Sequence, residues 1–222
     1  MKKIIYLAIV IVVVLFGIYF VWQAVDRPEI EGFGDVDELL QVNTTYAWTD
    51  EQKQEYEEIK AELAQDPENY SALLNLAGLK QGLVDYDGAL FLYSKLHEIK
   101  PDDIMPLNNM GSIYYDTKQH EQAEAAQLAI IDINYKWSNS YQELMAIYRW
   151  HLKDKRDTFE EKLLYFYNNA PEYNETSLTL LAVYYDELME DTEKAIEWHE
   201  KALEFNPNNT EMETRLNELK SQ

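Results

Sequence analysis

The sequence predicts an all-α protein, built from helical pairs repeated along the chain behind one apolar segment at the amino end. Three observations carry that expectation. Only seven Gly and six Pro occur in 222 residues, too few for turn-dense β architecture, while the helix formers Leu, Ala, Glu and Lys are abundant. The run from Ile4 to Trp22 contains no charged residue. From Pro67 onward, apolar, small and terminating residues return at an interval of 34, the length of a two-helix unit.

Taken in order, the first element is the apolar run. Lys2 and Lys3 precede IIYLAIVIVVVLFGIYFVW, 19 residues that as a helix rising about 1.5 Å per residue would span a hydrocarbon core of about 30 Å. Tyr19 and Trp22 would stand at the far interface, where amphipathic rings are favoured. A cleaved signal peptide has a shorter apolar region and a small-x-small exit; here FVWQAVDRP places bulky Trp22 two positions before Ala24. An uncleaved transmembrane anchor over 4–22 is expected, with residues 1–3 as a cytoplasmic tail. Arg27 is the sole base in the first stretch beyond the span, so the positive-inside tendency places the carboxyl-terminal body outside the cytoplasm, as in a bacterial cell envelope.

Residues 23–48, with Pro28, Gly32 and Gly34 and no helical apolar period, are expected to be a linker. The Gly32-Phe33-Gly34 segment lacks the preceding strand and the third glycine of a nucleotide-binding loop. All 41 acidic residues follow the span, against 17 of the 19 basic ones. A surface of that sign repels a phosphate backbone and argues against nucleic-acid binding. It would also hold the body off anionic lipid. The absence of Cys removes disulfides, thiolate metal sites and thiol catalysis.

The body, 49–222, opens with Thr49 capping DEQKQEYEEIKAELAQDP, a helix that Pro67 ends. Self-similarity follows. Leu73, Leu107 and Tyr141 are 34 apart, as are Leu76, Met110 and Leu144, and Ala77, Gly111 and Met145. Lys80, Tyr114 and Tyr148 keep the interval, and so do Ala89 and Ala123, and Pro67 and Pro101. The spacing predicts repeats at about 70–103, 104–137, 138–173 and 174–207, with capping helices at 50–65 and 209–221 that cover the outermost apolar faces.

A 34-residue period with a small residue in each helix and a closing proline resembles the tetratricopeptide repeat family. The fold this resemblance implies is a tetratricopeptide-type α-solenoid of helix-turn-helix repeats, here preceded by a single transmembrane helix. Gly111 and Ala123 are then packing notches that let two helices cross closely, with Tyr114 filling the space beside them. The second repeat departs from the family pattern at Gln127, where an aromatic is usual, and at Tyr135, where a proline is. The third departs further: Met145 stands where a small residue belongs, the helix near Thr158 to Asn169 lacks a notch, and extra residues surround His151 to Asp157. The fourth returns through Leu178, Leu181, Ala182, Tyr185, Ala195, Ala202 and Pro207, with one extra residue in its turn.

Residues that could carry chemistry are sparse. His97, His120, His151 and His199 are scattered, and none stands at ligand spacing from another on a helix. No Ser lies in a nucleophile-elbow context, and the carboxylates are too numerous to single out an acid and a base. No metal, cofactor or catalytic residue is expected, and the chain is read as a non-enzyme. Arg149, Lys153, Lys155 and Arg156 form the one basic cluster, either cations at a helix carboxyl end or a dock for an acidic partner segment. The aromatics between Trp137 and Tyr185 are too many for one helical pair to bury, so some should be exposed as partner anchors.

The resemblance further implies a concave groove lined by the first helices of successive repeats, which receives a partner polypeptide. Carried onto this sequence, its protein-binding residues are Leu74, Met105, Asn108, Ser112, Tyr115, Asn139, Gln142 and Arg149. One branch of the family clamps the carboxyl terminus of cytosolic chaperones with Lys, Asn and Arg in the groove. Leu74, Gly78, Asn139 and Glu143 stand at four of those five places and only Asn109 agrees, which excludes that ligand here. The expectation is a membrane-anchored protein-binding scaffold or assembly factor; the alternative is a self-associating spacer of the envelope, a homo-oligomer without a peptide client.

Overall fold

The computed structural model describes residues 36–221, and every element in it is helical. The chain forms two compact units, one ending at Pro101 and one beginning at Asp102. Residues 4–22, expected to be a membrane span, lie outside the described residues. Among the described residues no helix is long and apolar enough to cross a membrane.

The first unit contains α1 (Val36–Leu39), α2 (Asp50–Gln65), α3 (Tyr70–Gly82) and α4 (Tyr86–Ile99). Each long helix begins on a side-chain cap. Thr49 and Gln52 form a reciprocal capping box on α2, Asn69 accepts from the Ala72 N–H (3.0 Å), and Asp85 accepts from the Gly88 N–H (3.3 Å). Such caps are each worth about 1 kcal/mol. Leu63, Leu73, Leu76, Ala77, Ala89 and Leu96 are fully buried between the three helices.

The described part of the expected linker is not a free tether. α1 stops after one turn, where Val42, Thr44 and Thr45 disfavour helix, and the extended chain that follows is strapped onto the unit. Leu39 and Leu40 are buried. The Leu40 carbonyl accepts from the Tyr56 hydroxyl (3.0 Å), and the Gln41 carbonyl accepts from Lys80 Nζ. The Asn43 N–H donates to Asp85 (3.1 Å), and the Thr44 hydroxyl donates to the Leu83 carbonyl (2.5 Å). Lys80 and Asp85 form an ion pair at 3.0 Å with side chains only 5% and 6% exposed. Burial of such a pair is tolerated when further hydrogen bonds, here from the strap and the α4 cap, satisfy the two groups. A Cβ on Gly88 would lie 2.6 Å from Asp85 Oδ2, so glycine is required there. In sequence register the strap stands where a preceding repeat would begin, since Leu39 precedes Leu73 by 34. Composition suggested a linker because, beyond Leu39 and Leu40, the strap is held by hydrogen bonds, most of them through its backbone, which leave no apolar period.

The second unit runs through α5 (Ile104–Asp116), α6 (His120–Ile133), α7 (Ser138–Trp150), a 3₁₀ segment (Lys153–Phe159) and α8 (Glu160–Asn169). A short 3₁₀ turn (Pro171–Tyr173) leads to α9 (Asn174–Val183), which continues as a π turn (Tyr184–Leu188). α10 (Thr192–Phe205) and α11 (Thr210–Lys220) complete it. The extra residue of the fourth repeat is absorbed in that π turn. There the Met189 N–H bonds the Tyr184 carbonyl (3.0 Å) and the Asp191 N–H reaches back six residues to Tyr185 (2.9 Å). The equivalent closures of α3 and α5 reach back five, from Asp85 to Lys80 and from Gln119 to Tyr114.

The notch at Gly111 is confirmed with different partners. A Cβ there would meet Gln127 Nε2 at 2.8 Å and Ala126 Cβ at 3.5 Å, so the close approach is to these residues, one turn beyond Ala123 on α6. Ala123 is buried without being the nearest neighbour. Gln127, the departure from an aromatic, is 4% exposed and accepts from the fully buried Ser140 hydroxyl (2.7 Å). A larger ring would sever that link between α6 and α7.

Candidate protein-binding surface

Seven of the eight expected binding residues fall in the second unit, on two helical stripes. On α5, Met105, Asn108, Ser112 and Tyr115 follow one another at helical spacing; Met105 and Ser112 are exposed, Asn108 and Tyr115 half-buried. The opposite face of α5, with Leu107, Met110, Gly111, Ile113 and Tyr114, is consumed by packing. On α7, Asn139 and Gln142 are exposed and Arg149 is half-buried, while Tyr141, Leu144, Met145, Ile147 and Tyr148 are buried. Leu74 lies half-buried on α3 in the first unit.

Two contacts join the stripes to their neighbours. Tyr115 at the end of α5 packs edge-on against His151 just past α7, ring centroids 5.6 Å apart. Arg149 forms an ion pair with Glu187 in the π turn. The same register on α9 falls on Thr176, Thr179 and Val183, all half-buried. These three were missed in the sequence although the 34-residue interval, lengthened by the insertions near His151, reaches them. The surface is amide- and hydroxyl-rich with isolated apolar groups, suited to hydrogen-bonding a polypeptide backbone and seating small apolar side chains.

Most of the basic cluster is spent within the fold. Lys155 pairs with Glu124, a buried carboxylate that also accepts from the Tyr148 hydroxyl (2.8 Å). Arg156 donates to the Tyr148 and Leu188 carbonyls (3.2 and 2.8 Å), closing the ends of α7 and the π turn as a cation favoured by the helix dipole. With Arg149 held by Glu187, three of the four cations are engaged inside the fold, and Lys153 alone stands exposed in the cluster. Trp150, 64% exposed, stands beside it.

The titratable groups are tuned by packing. Burial raises the Tyr141, Tyr148 and Tyr185 phenols well above their ordinary value, and neighbouring carboxylates add to it: Asp132 for Tyr141, Glu124 for Tyr148 and Glu160 for Tyr185. Tyr184 is pushed up to about 12, chiefly by burial. Among the described residues no group of three or more metal-ligating side chains comes together. His199 is buried, its Nδ1 2.8 Å from the Ala195 carbonyl, near an Asp186 that takes two 2.7 Å bonds from Arg215.

The structure brings two of the scattered histidines together. His120 at the start of α6 and His151 after α7 stack at 3.6 Å with rings 8° from parallel, and Tyr115 packs edge-on against both. Their 31-residue separation conceals the pairing in the sequence. A shallow recess of about 470 Å³ along α8 and the end of the 3₁₀ segment, lined by Asp157, Glu160, Glu161, Leu164, Tyr165, Asn168 and Asn169, is separate from the stripes.

The tetratricopeptide repeat family model matches residues 106–136 and 176–209. No curated protein matches the sequence. Among solved structures, a tetratricopeptide repeat protein from Parabacteroides merdae superposes with a TM-score of 0.52 at 14% identity, over 83% of this chain and 72% of that one. A thermophilic TPR protein of Thermus thermophilus, TTC0263, gives 0.46 at 19% identity over 74% and 88% of the two chains. MamA gives 0.46 at 18% identity over 71% and 99%.

Proposed function

We propose that this chain, which carries tetratricopeptide repeats, is a membrane-anchored scaffold whose exported body holds a partner polypeptide on the face formed by α5, α7 and α9. Tetratricopeptide repeats generally mediate contact between proteins, and the observation that carries the reading here is local. The three helices hold polar, partly apolar stripes exposed or half-buried at one register, while their opposite faces are spent on the core. Ser112, Asn139 and Gln142 stand exposed on the stripe, and a backbone laid across it would meet donors and acceptors at helical intervals.

Site-specific photocrosslinking in native membranes tests the surface. A crosslinker at Gln142 should capture a partner that one at Glu161, on α8, does not, and Tyr115→Ala should reduce the yield at Gln142. Equal capture from both positions, or a yield indifferent to Tyr115→Ala, removes this face from consideration. The anchor is supported by the uncharged run Ile4 to Trp22 and its flanking lysines. Because the chain has no Cys, one cysteine at Ser221 gives a clean topology probe: a membrane-impermeant maleimide should label it in intact cells, and protection until lysis would reverse the orientation.

A further inference from the structure

The stacked histidines are the feature that the binding surface does not explain. His120 and His151 come from different helical pairs, and the ring that locks them, Tyr115, is itself on the α5 stripe. Two imidazoles at 3.6 Å remain stacked while at least one is neutral; two imidazolium cations at that distance repel each other. His120 Nδ1 is buried with no hydrogen-bond partner among the described residues, so no acceptor awaits a second N–H there.

We propose that the His120–His151 stack is a proton-sensitive latch that positions Tyr115 on the binding surface, closed when a ring is neutral and opened when both are charged. The groups around it are known from each element. α5 contributes Tyr115, with Asp116 and Lys118 at its end; α6 contributes His120, Glu121 and Glu124. Glu124 is engaged by Tyr148 and Lys155, and on α7 Arg149 is engaged by Glu187. Beyond His151 follow Lys153, Asp154 and Lys155. His151 is exposed at its outer edge, yet the desolvation of its ring against its neighbours lowers the imidazole below its ordinary value, and the charge of His120 lowers it further. A lowered imidazole means that the unfolded chain binds the proton first. Stability from the latch is therefore present above about pH 6.5 and lost as pH falls below it. The consequence for partner binding rests on the function proposed above.

Ring-resolved NMR of the full-length chain in detergent, with labelled His and Tyr, tests the latch. His151 should titrate below the ordinary imidazole range, with the Tyr115 ring signal moving in step. His120→Phe, which keeps a ring and removes the charge, should return the His151 midpoint upward and leave Tyr115 insensitive to pH; His151→Asn is the second variant should the first fail to fold. Independent titration of the two histidines, or a Tyr115 signal that ignores their titration, overturns the proposal. Crosslinking at Gln142 across about pH 7.5 to 5 reads the consequence: an acid-induced fall in wild type that His120→Phe removes supports it. A coupled titration with pH-indifferent crosslinking defeats the binding surface and leaves the latch standing.

Discussion

The second and third helical pairs solve the same packing problem in opposite ways. In α5 and α6 the crossing is made by absence: Gly111 admits Gln127 and Ala126 against the backbone of α5. In the next pair the same register holds Met145, 5% exposed, and rings fill the space between α7 and α8. Phe159 contacts Tyr141, Tyr148 and Tyr184, and Phe166 stacks on Tyr141 at 4.6 Å. The family model matches the first of these pairs and not the second. Small residues specify a close crossing, whereas a ring cluster tolerates a wider one, and the extra residues become a 3₁₀ segment that delivers Phe159 to the centre.

The sharpest way to break the contrast is at that centre. Phe159 is 1% exposed, and Phe159→Ala should cost about 3–5 kcal/mol, the range for truncating a buried aromatic. Urea unfolding followed by circular dichroism measures it. A loss under about 1 kcal/mol would mean that the rings are not what holds α7 to α8.

Exchanging size at the shared register comes next. Met145→Ala should destabilise by about 2–5 kcal/mol through the cavity left behind. Gly111→Ala must displace Gln127, an overpacking cost of about 1–3 kcal/mol partly offset by about 1 kcal/mol of helix propensity. Changes of size in opposite directions thus destabilise both pairs. If Gly111→Ala were stabilising, the notch would be dispensable.

Alkali should separate the two regions by charge. The third pair and the turn after α9 hold Tyr141, Tyr148, Tyr184 and Tyr185 with raised phenols, against Tyr114 alone in the second pair. A phenol whose folded value is raised contributes stability that is complete below the unfolded value of about 10 and lost as pH climbs through the folded one. Phenolate absorbance and circular dichroism should therefore change together above about pH 10. Tyr148→Phe should weaken that coupling; phenolate appearing with the helices intact would show that these rings are open to solvent.

What the sequence disclosed follows the same division. Where one residue type has one packing meaning, as with Gly111, or with Thr49 capping α2, position could be read from spacing alone. Where the third pair replaces small residues with rings, the insertion near His151 to Asp157 was visible but its consequence was not, because a 3₁₀ segment has no apolar period of its own. The positions on α5 and α7 came from the family resemblance, which the 34-residue period allowed to be laid onto this sequence. The extension to α9 and the His120–His151 stack were not legible, since both depend on how many residues the irregular turn consumes. The strap after α1 was hidden for another reason: backbone carbonyls bind Lys80 and Tyr56 regardless of the side chains that carry them.

The smallest effect lies in how each first helix stops. α5 ends with Lys118 in the left-handed region, φ 62°, its N–H bonded to the Tyr115 carbonyl (3.0 Å) and the next N–H reaching Tyr114 (2.8 Å). This closure favours glycine because a Cβ clashes there. α7 ends instead through His151 at φ −122°, with the Leu152 N–H bonded to Ile147 (3.0 Å), a backbone any residue adopts. Lys118→Gly should therefore raise stability by up to about 1 kcal/mol, reduced by the greater freedom that glycine gives the unfolded chain. At the equivalent turn His151→Gly has no left-handed strain to relieve and forfeits the His120 stack, so it should lower stability. Thermal unfolding of the two variants side by side measures the sign at each turn. Opposite signs would establish that the regular pair stores backbone strain where the irregular one stores ring contacts, and equal signs would erase the distinction at the turns while leaving it in the core.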